Sequence, residues 1–273
     1  MTILQPLVVS GCQRSGTTLM SLILGSHPQV NTIDEVFFRR HFTLDKMRQA
    51  LAEQKEGRNC CFKIPMQSHQ LAEIQAGSSP PARLIWMLRD PRAVVASMVD
   101  LHLPVSRFVS VSWACSYIHK EIINVLQFLP QHLLDPLEAW IHRFRLIENV
   151  PGPLRPAPDV YFTAALCWYL KQLTLKMYLE QGLAIHLVRY EKLVSEPEPV
   201  LRALLAQLEL DWEPSVLAHH RAGTGHVIGG TRRDTPISSE NLDKWKRSLS
   251  PEGLAEVREV CTAMASEFAY SLD

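Results

Sequence analysis

The sequence predicts an α/β fold built on a parallel sheet, and three observations carry that reading. Apolar runs bounded by turn or cap residues, without polar alternation, occupy Leu7–Ser10, Cys60–Ile64, Arg83–Arg89 and Ala184–Arg189. Runs of this kind suit strands buried on both faces. Helical patterns separate them, and strand–helix alternation implies parallel strands joined by right-handed crossovers. The first run also ends in a glycine-bounded loop that opens a helix, as in a phosphate-holding turn.

Each element follows from its local signals. Helices are predicted at Thr17–Ser26, Ser68–Ala76 and Pro91–Leu101. Asp90 and Pro91 look like a helix N-cap with proline at the first position. An apolar strand ending in Asp could instead supply a magnesium-binding carboxylate, but the cap is the preferred reading. From Leu101 to Gln181 little resembles a strand, and the stretch is broken by Pro151, Pro153, Pro156 and Pro158. It reads as a helical insertion at about 101–182, either a lid or acceptor-binding wall or simply extra core helices. A structural helix from Pro251 to Phe268 ends the chain. The 273 residues are expected to form one domain, 1–273, near the upper size for one core.

Composition narrows the function. Lys plus Arg and Asp plus Glu are equal at 28 each, so no global field favours nucleic acid or an anionic membrane. The N-terminus lacks a basic region ahead of an apolar one, and no stretch reaches the roughly 18 apolar residues of a membrane span. A cytoplasmic protein without a membrane span is expected. Cys12, Cys60, Cys61, Cys115, Cys167 and Cys261 form no CxxC pair, and no His stands at metal-ligand spacing. Reduced, mostly buried thiols and no metal site follow.

The sharpest local signal is Leu7-Val8-Val9-Ser10-Gly11-Cys12-Gln13-Arg14-Ser15-Gly16-Thr17-Thr18-Leu19. Its spacing, G-x-x-x-x-G-x-T, lets successive backbone N–H groups turn inward at the positive end of a helix. Nucleotide triphosphatases place Lys after the second glycine to reach the β and γ phosphates. Thr17 stands there instead, and Arg14 supplies a cation from two residues before Gly16. The loop thus suits a single 5′-phosphate bearing a transferable group, and disfavours a kinase. The blander alternative is a glycine turn that packs a helix on a sheet.

A second signal is Arg83-Leu84-Ile85-Trp86-Met87-Leu88-Arg89, followed by Asp90-Pro91-Arg92 and a helix containing Ser97. Arg89 falls at the carboxyl edge of its strand, where ligands of open α/β sheets collect. With Ser97 it would clamp a second phosphate. Taken alone, Arg89 could equally pair with Asp90 or Glu35. Two phosphate sites together fit a nucleotide phosphorylated at both its 5′ and 3′ positions.

These residues resemble the sulfotransferases with a P-loop-related fold, most closely the tyrosylprotein sulfotransferases and their bacterial relatives. GCQRSGTTLMSLILGSHP is similar to the family's 5′-phosphosulfate loop, and LRDPRAVVASM to its 3′-phosphate motif. Cys61-Phe62-Lys63-Ile64-Pro65 resembles a strand-end lysine motif, and Val188-Arg189-Tyr190-Glu191-Lys192-Leu193 a nucleotide-binding one. Gly229-Gly230-Thr231 through Asn241-Leu242-Asp243-Lys244-Trp245 looks like a loop that closes over the donor. The matches keep family order across 7–100 and 184–250.

The resemblance implies a P-loop NTPase-like three-layer α/β/α fold with a central parallel sheet. It also implies transfer of a sulfuryl group from 3′-phosphoadenosine-5′-phosphosulfate to a hydroxyl on a small molecule, sugar, lipid or tyrosine. Arg14, Ser15, Gly16, Thr17 and Thr18 would hold the phosphosulfate, Arg89 and Ser97 the 3′-phosphate, and Tyr190 and Lys244 the nucleotide. Glu35 falls at the position of a catalytic glutamate and is the expected general base, with Lys63 and Arg14 meeting charge on the leaving phosphate. His41, His69 and His102 are rival bases. A third basic residue expected after Ser97 is replaced by Leu101, which leaves Arg92 or Arg107 to take its place. Met98, Trp113, Tyr117, Trp140, Trp168 and Tyr169 suit either an apolar acceptor pocket or core. The readings from other classes are a P-loop small-molecule kinase and a non-catalytic nucleotide-binding protein.

Overall fold

The computed structural model describes residues 5–34, 42–53, 58–102, 111–149, 157–221, 231 and 233–273. In chain order these form β1 (Leu7–Gly11), α1 (Thr17–Gly25), β2 (Val30–Asp34), α2 (Leu44–Ala52), β3 (Asn59–Lys63), a 3-10 turn at Pro65–Gln70, α3 (Leu71–Gly77) and β4 (Arg83–Leu88). Next come α4 (Pro91–His102), α5 (Val111–Phe128), α6 (Gln131–Leu134), α7 (Glu138–Glu148) and α8 (Ala157–Glu180). After them follow β5 (Ile185–Arg189), α9 (Tyr190–Ser195), α10 (Pro197–Gln207), a 3-10 segment at Pro214–Arg221, α11 (Trp245–Ser248) and α12 (Pro251–Glu267). Two compact units result, one of 1–89 with 178–239 and one of 90–177 with 240–273.

The first unit holds a five-stranded sheet in the order β2-β3-β1-β4-β5, parallel throughout. The strands predicted from apolar runs are present with ends shifted by one residue. Alternate residues of β1, Leu7 and Val9, join Met20, Ile23 and Leu24 of α1 and Leu201, Leu204 and Leu205 of α10 in one core cluster. Val8, Phe62, Leu84 and Trp86, pointing to the opposite face, are also fully buried. Burial on both faces is why β1, β3 and β4 read as continuous apolar runs, whereas β5, expected to be covered in the same way, is an edge strand with only Val188 buried and Leu187 exposed.

β2 and α2 add to the sequence reading. β2 is an edge strand, Val-Asn-Thr-Ile-Asp, with Thr32 exposed. α2 is capped by Thr43, whose Oγ1 accepts from the Lys46 N–H at 3.2 Å. The helix predicted at Ser68–Ala76 is divided into the 3-10 turn and α3.

The second unit is helical among its described residues. α8 is buried nearly all round from Phe162 to Leu175, the pattern of a helix central to its unit. Arg143 on α7 forks between Glu256 on α12, at 2.8 Å, and Asp159 on α8, at 3.2 Å. Its guanidinium also lies 4.1 Å from the Phe162 ring centroid. Deeper still, Lys171 and Glu121 form an ion pair at 3.5 Å with both side chains almost wholly buried. Met98 and Trp168 are fully buried and serve as core, while Trp140 and Tyr169 are half-buried and meet edge-on at 5.2 Å. The side chains of Trp113 and Tyr117 lie outside the described residues. No described helix is long and apolar enough to cross a membrane. Cys12, Cys60, Cys61, Cys167 and Cys261 are buried thiols, none of them in a disulfide.

Candidate functional site

The glycine loop sits where β1 gives way to α1, and its two glycines are there for different contacts. Gly11 has φ 137°, and a Cβ on it would lie 2.6 Å from the Met87 carbonyl oxygen of β4. Gly16 caps α1 with φ 94°, and a Cβ there would meet Tyr190 Cδ2 at 2.5 Å. Only glycine combines a left-handed backbone with such close approach. Between them Arg14 also takes positive φ, 67°, and the Ser15 N–H closes a turn on the Cys12 carbonyl at 3.1 Å. The first N–H groups of α1 have no acceptor within the helix and face the loop end.

Three predicted residues of the first unit converge here. Arg89, just past β4, donates through Nη1 to the Arg14 carbonyl at 2.8 Å. Its guanidinium lies over the Tyr190 ring, 4.0 Å from the centroid. Tyr190, the first residue of α9, therefore packs between Gly16 and Arg89. Arg14 loses proton affinity because burial strips its solvent, with the nearby Arg89 charge acting in the same direction. Two guanidinium groups held close with reduced solvation create a local demand for an anion, in a chain whose overall charge is balanced.

Other members of the set lie on the loop itself or at the ends of β1 and β3. Ser15 is fully buried and its Oγ has no hydrogen-bond partner among the described residues. Thr17, at the position a triphosphatase gives to lysine, is buried, and Thr18 is half-buried. Lys63 ends β3 in register with Val9 of β1 and is only 2% exposed. Ser10, not singled out from sequence, likewise buries an Oγ without a partner at the end of β1. Its place next to Gly11 was the available signal.

Ser97 and Lys244 belong to the second unit. Ser97 is half-buried on α4. Lys244 pairs with Asp100 at 3.1 Å. The Asp90 carboxylate accepts the Arg92 backbone N–H at 2.8 Å, which makes it the predicted N-cap of α4. Arg92 grips the same carboxylate through Nε and Nη2, donates to the Ser271 carbonyl at 2.9 Å and stacks on Trp245 at 4.4 Å. Those contacts commit Arg92 to the unit's own scaffold. Arg107 lies outside the described residues. So do Glu35, His41 and the Gly229–Gly230 pair with Arg232, while the side chain of His102 is likewise not described. His69 lies in the 3-10 turn after Lys63.

Residues 6–59, from β1 through the loop and α1 to the start of β3, match the family model described as "Sulfotransferase family". Over 88% of its length the chain is 26% identical to protein-tyrosine sulfotransferase 1 of Danio rerio. It spans 65% of that protein's length. Among solved structures, the sulfotransferase domain from the curacin biosynthetic pathway superposes with a TM-score of 0.59, 16% identity and complete coverage of both chains. The chain has the sulfotransferase fold. A mouse sulfotransferase solved with PAP adds the same likeness at TM-score 0.54 and 11% identity, covering 96% of this chain and 85% of that one. In this sulfotransferase fold, the segment the family model matches contains the loop that Arg89 and Tyr190 reach from elsewhere in the sequence.

Proposed function

We propose that this chain is a sulfotransferase that moves a sulfuryl group from 3′-phosphoadenosine-5′-phosphosulfate to an acceptor hydroxyl. The observation that carries this reading is the juxtaposition of Arg14 and Arg89 at a glycine loop that has threonine where triphosphatases have lysine. The loop amides, the α1 N-terminus and the buried hydroxyls of Ser10 and Ser15 suit phosphate-type oxygens. The ligand named in the mouse protein's complex, PAP, is what 3′-phosphoadenosine-5′-phosphosulfate becomes once its sulfuryl group has left, and its phosphates at the 3′ and 5′ positions of the ribose agree with more than one basic residue in the set.

The donor supplies an electrophilic sulfur and a phosphate leaving group. Arg14 and the loop amides bind the phosphosulfate, while Arg89 holds Arg14's backbone in place and adds a second charge. Lys63 meets negative charge that grows on the 5′-phosphate oxygen as the bridging S–O bond breaks and that oxygen keeps the electron pair. Glu35 takes the proton of the acceptor hydroxyl as its oxygen bonds to sulfur. Positioning and charge stabilisation dominate such loose transfers. Ser97 and Lys244 enter from the sequence pattern as further nucleotide contacts.

Calorimetry with adenosine 3′,5′-bisphosphate in the absence of magnesium, against ATP with magnesium, tests the donor. Binding of the bisphosphate is expected, and a preference for ATP would overturn the reading. Labelled-sulfate transfer by wild type and Glu35→Gln tests the base. Equal rates would remove Glu35 from the mechanism.

A further inference from the structure

The second unit carries the point where the chain departs from the pattern it resembles. A third basic residue is expected one turn beyond Ser97 on α4, and Leu101 stands there. Arg92 is the only other Lys or Arg of that helix. It is committed to Asp90, Ser271 and Trp245. A phosphate at the Ser97 face of α4 therefore has to draw its cation from another element.

The segment Lys244–Ser248 supplies one. It is fastened to α4 at two places about two turns apart. Near the start of the helix the Arg92 guanidinium lies over the Trp245 ring, 4.4 Å from its centroid. Near the end, Asp100 Oδ2 takes Lys244 Nζ at 3.1 Å and the Ser248 hydroxyl at 3.4 Å. Asp100 is three residues from Ser97, and side chains at that spacing are neighbours on a helix, with Cβ atoms ~5–6 Å apart. The Lys244 ammonium is thus held beside the face that carries Ser97, by the residue next to Leu101. With 56% of its side chain exposed, Lys244 keeps donors open to a ligand. Lys246 is drawn instead to Asp243 at 2.7 Å. An exposed ion pair contributes little to stability, and a carboxylate beside a phosphate repels it. What the geometry gives Asp100 is a hold on Lys244, whose flexible four-carbon stem is fixed before the ligand arrives and so loses less entropy on binding.

We propose that Asp100 is a positioning residue, and that the lysine it holds, Lys244, replaces on the 3′-phosphate the basic side chain that Leu101 does not provide. The proposal rests on the sulfotransferase reading above and assigns Lys244 to one phosphate of the donor.

Calorimetry with adenosine 3′,5′-bisphosphate, and with adenosine 5′-phosphosulfate as a ligand without the 3′-phosphate, tests it. The proteins are wild type, Asp100→Asn, Asp100→Glu, Lys244→Ala and the D100N/K244A double variant. K244A is expected to weaken bisphosphate binding about tenfold, as for loss of a charge-assisted hydrogen bond. D100N should weaken it about threefold, the cost of ordering one long side chain, and D100E should keep most of the affinity. The 5′-phosphosulfate should bind D100N as it binds wild type. In the K244A background D100N should cause no further weakening, because Asp100 acts through Lys244. Adding Leu101→Arg to K244A should restore bisphosphate affinity. If Asp100 only adds negative charge, D100N tightens bisphosphate binding, and that sign overturns the proposal. So does unchanged binding in D100N, a loss that is equal for the two ligands, a loss that persists in K244A, or failure of L101R to rescue. Wild type that binds no bisphosphate would instead sink the donor assignment, so the two failures are separable.

Discussion

Arg89 is tied to the backbone of Arg14: its Nη1 donates to the Arg14 carbonyl at 2.8 Å across 75 positions of sequence. The tether holds a cation beside a cation, and burial first, with that repulsion added, depresses the basicity of Arg14. Removing either should therefore be felt mostly when an anion binds.

Arg14→Ala and Arg89→Ala are each expected to weaken adenosine 3′,5′-bisphosphate binding by roughly 10- to 100-fold, the loss of one or two charge-assisted hydrogen bonds. Arg89→Lys keeps the charge but loses the planar fork that serves both the carbonyl and Tyr190, so it should recover only part of the affinity. Calorimetry reads all three. Full affinity in R89A would show that Arg89 serves the loop alone.

Gly16→Ala combines two penalties, a left-handed backbone and a Cβ 2.5 Å from Tyr190 Cδ2. A destabilisation of about 1–3 kcal/mol is expected. Adding Tyr190→Ala should relieve the clash and leave the backbone cost, so the double variant loses less than the sum of the singles. Urea unfolding of the four proteins gives the coupling, and strict additivity would argue against the contact.

The buried Lys171–Glu121 pair predicts an asymmetry. Lys171→Met strands a carboxylate in the core of the second unit and should cost about 3–5 kcal/mol. The double change Lys171→Met with Glu121→Leu removes both charges and should recover much of that loss. A double variant as unstable as the single one would mean that packing, not charge, governs the site.

His219 makes stability depend on pH. Burial, and secondarily the neighbouring His220 charge, hold its imidazole below the ordinary range, against a smaller opposing influence of the Thr235 backbone. The neutral form is favoured in the folded chain, while the unfolded chain takes up a proton near pH 6.5. Stability is thus fully present above about pH 6.5 and falls as pH drops below it. His186 shifts in the same direction, again through burial first. Urea midpoints from pH 8 to 5.5 should show the fall, with a shallower slope in His219→Leu. An unchanged slope in that variant would assign the effect elsewhere.

Legibility differed by element for a physical reason. β1, β3 and β4 could be read because strands covered on both faces need unbroken apolar runs. β2 could not, since an edge strand with one side in water tolerates Asn, Thr and Asp. The helical 101–182 stretch was recognisable as helix, yet its aromatics gave no sign whether they line a pocket or a core. Full burial of Trp168 assigns that residue to the core, and Trp140 and Tyr169 stay half-buried.

By itself, the sequence determined the parallel α/β architecture, the glycine loop with Thr17 in the lysine position, and Asp90 as a helix cap. Those features are encoded by backbone conformation and by contacts within a few residues. Tertiary structure decided that Arg89 and Tyr190 close on the loop and that Arg92 engages Ser271 and Trp245. Each of these depends on which distant segments the folded chain brings side by side, and no local pattern records that.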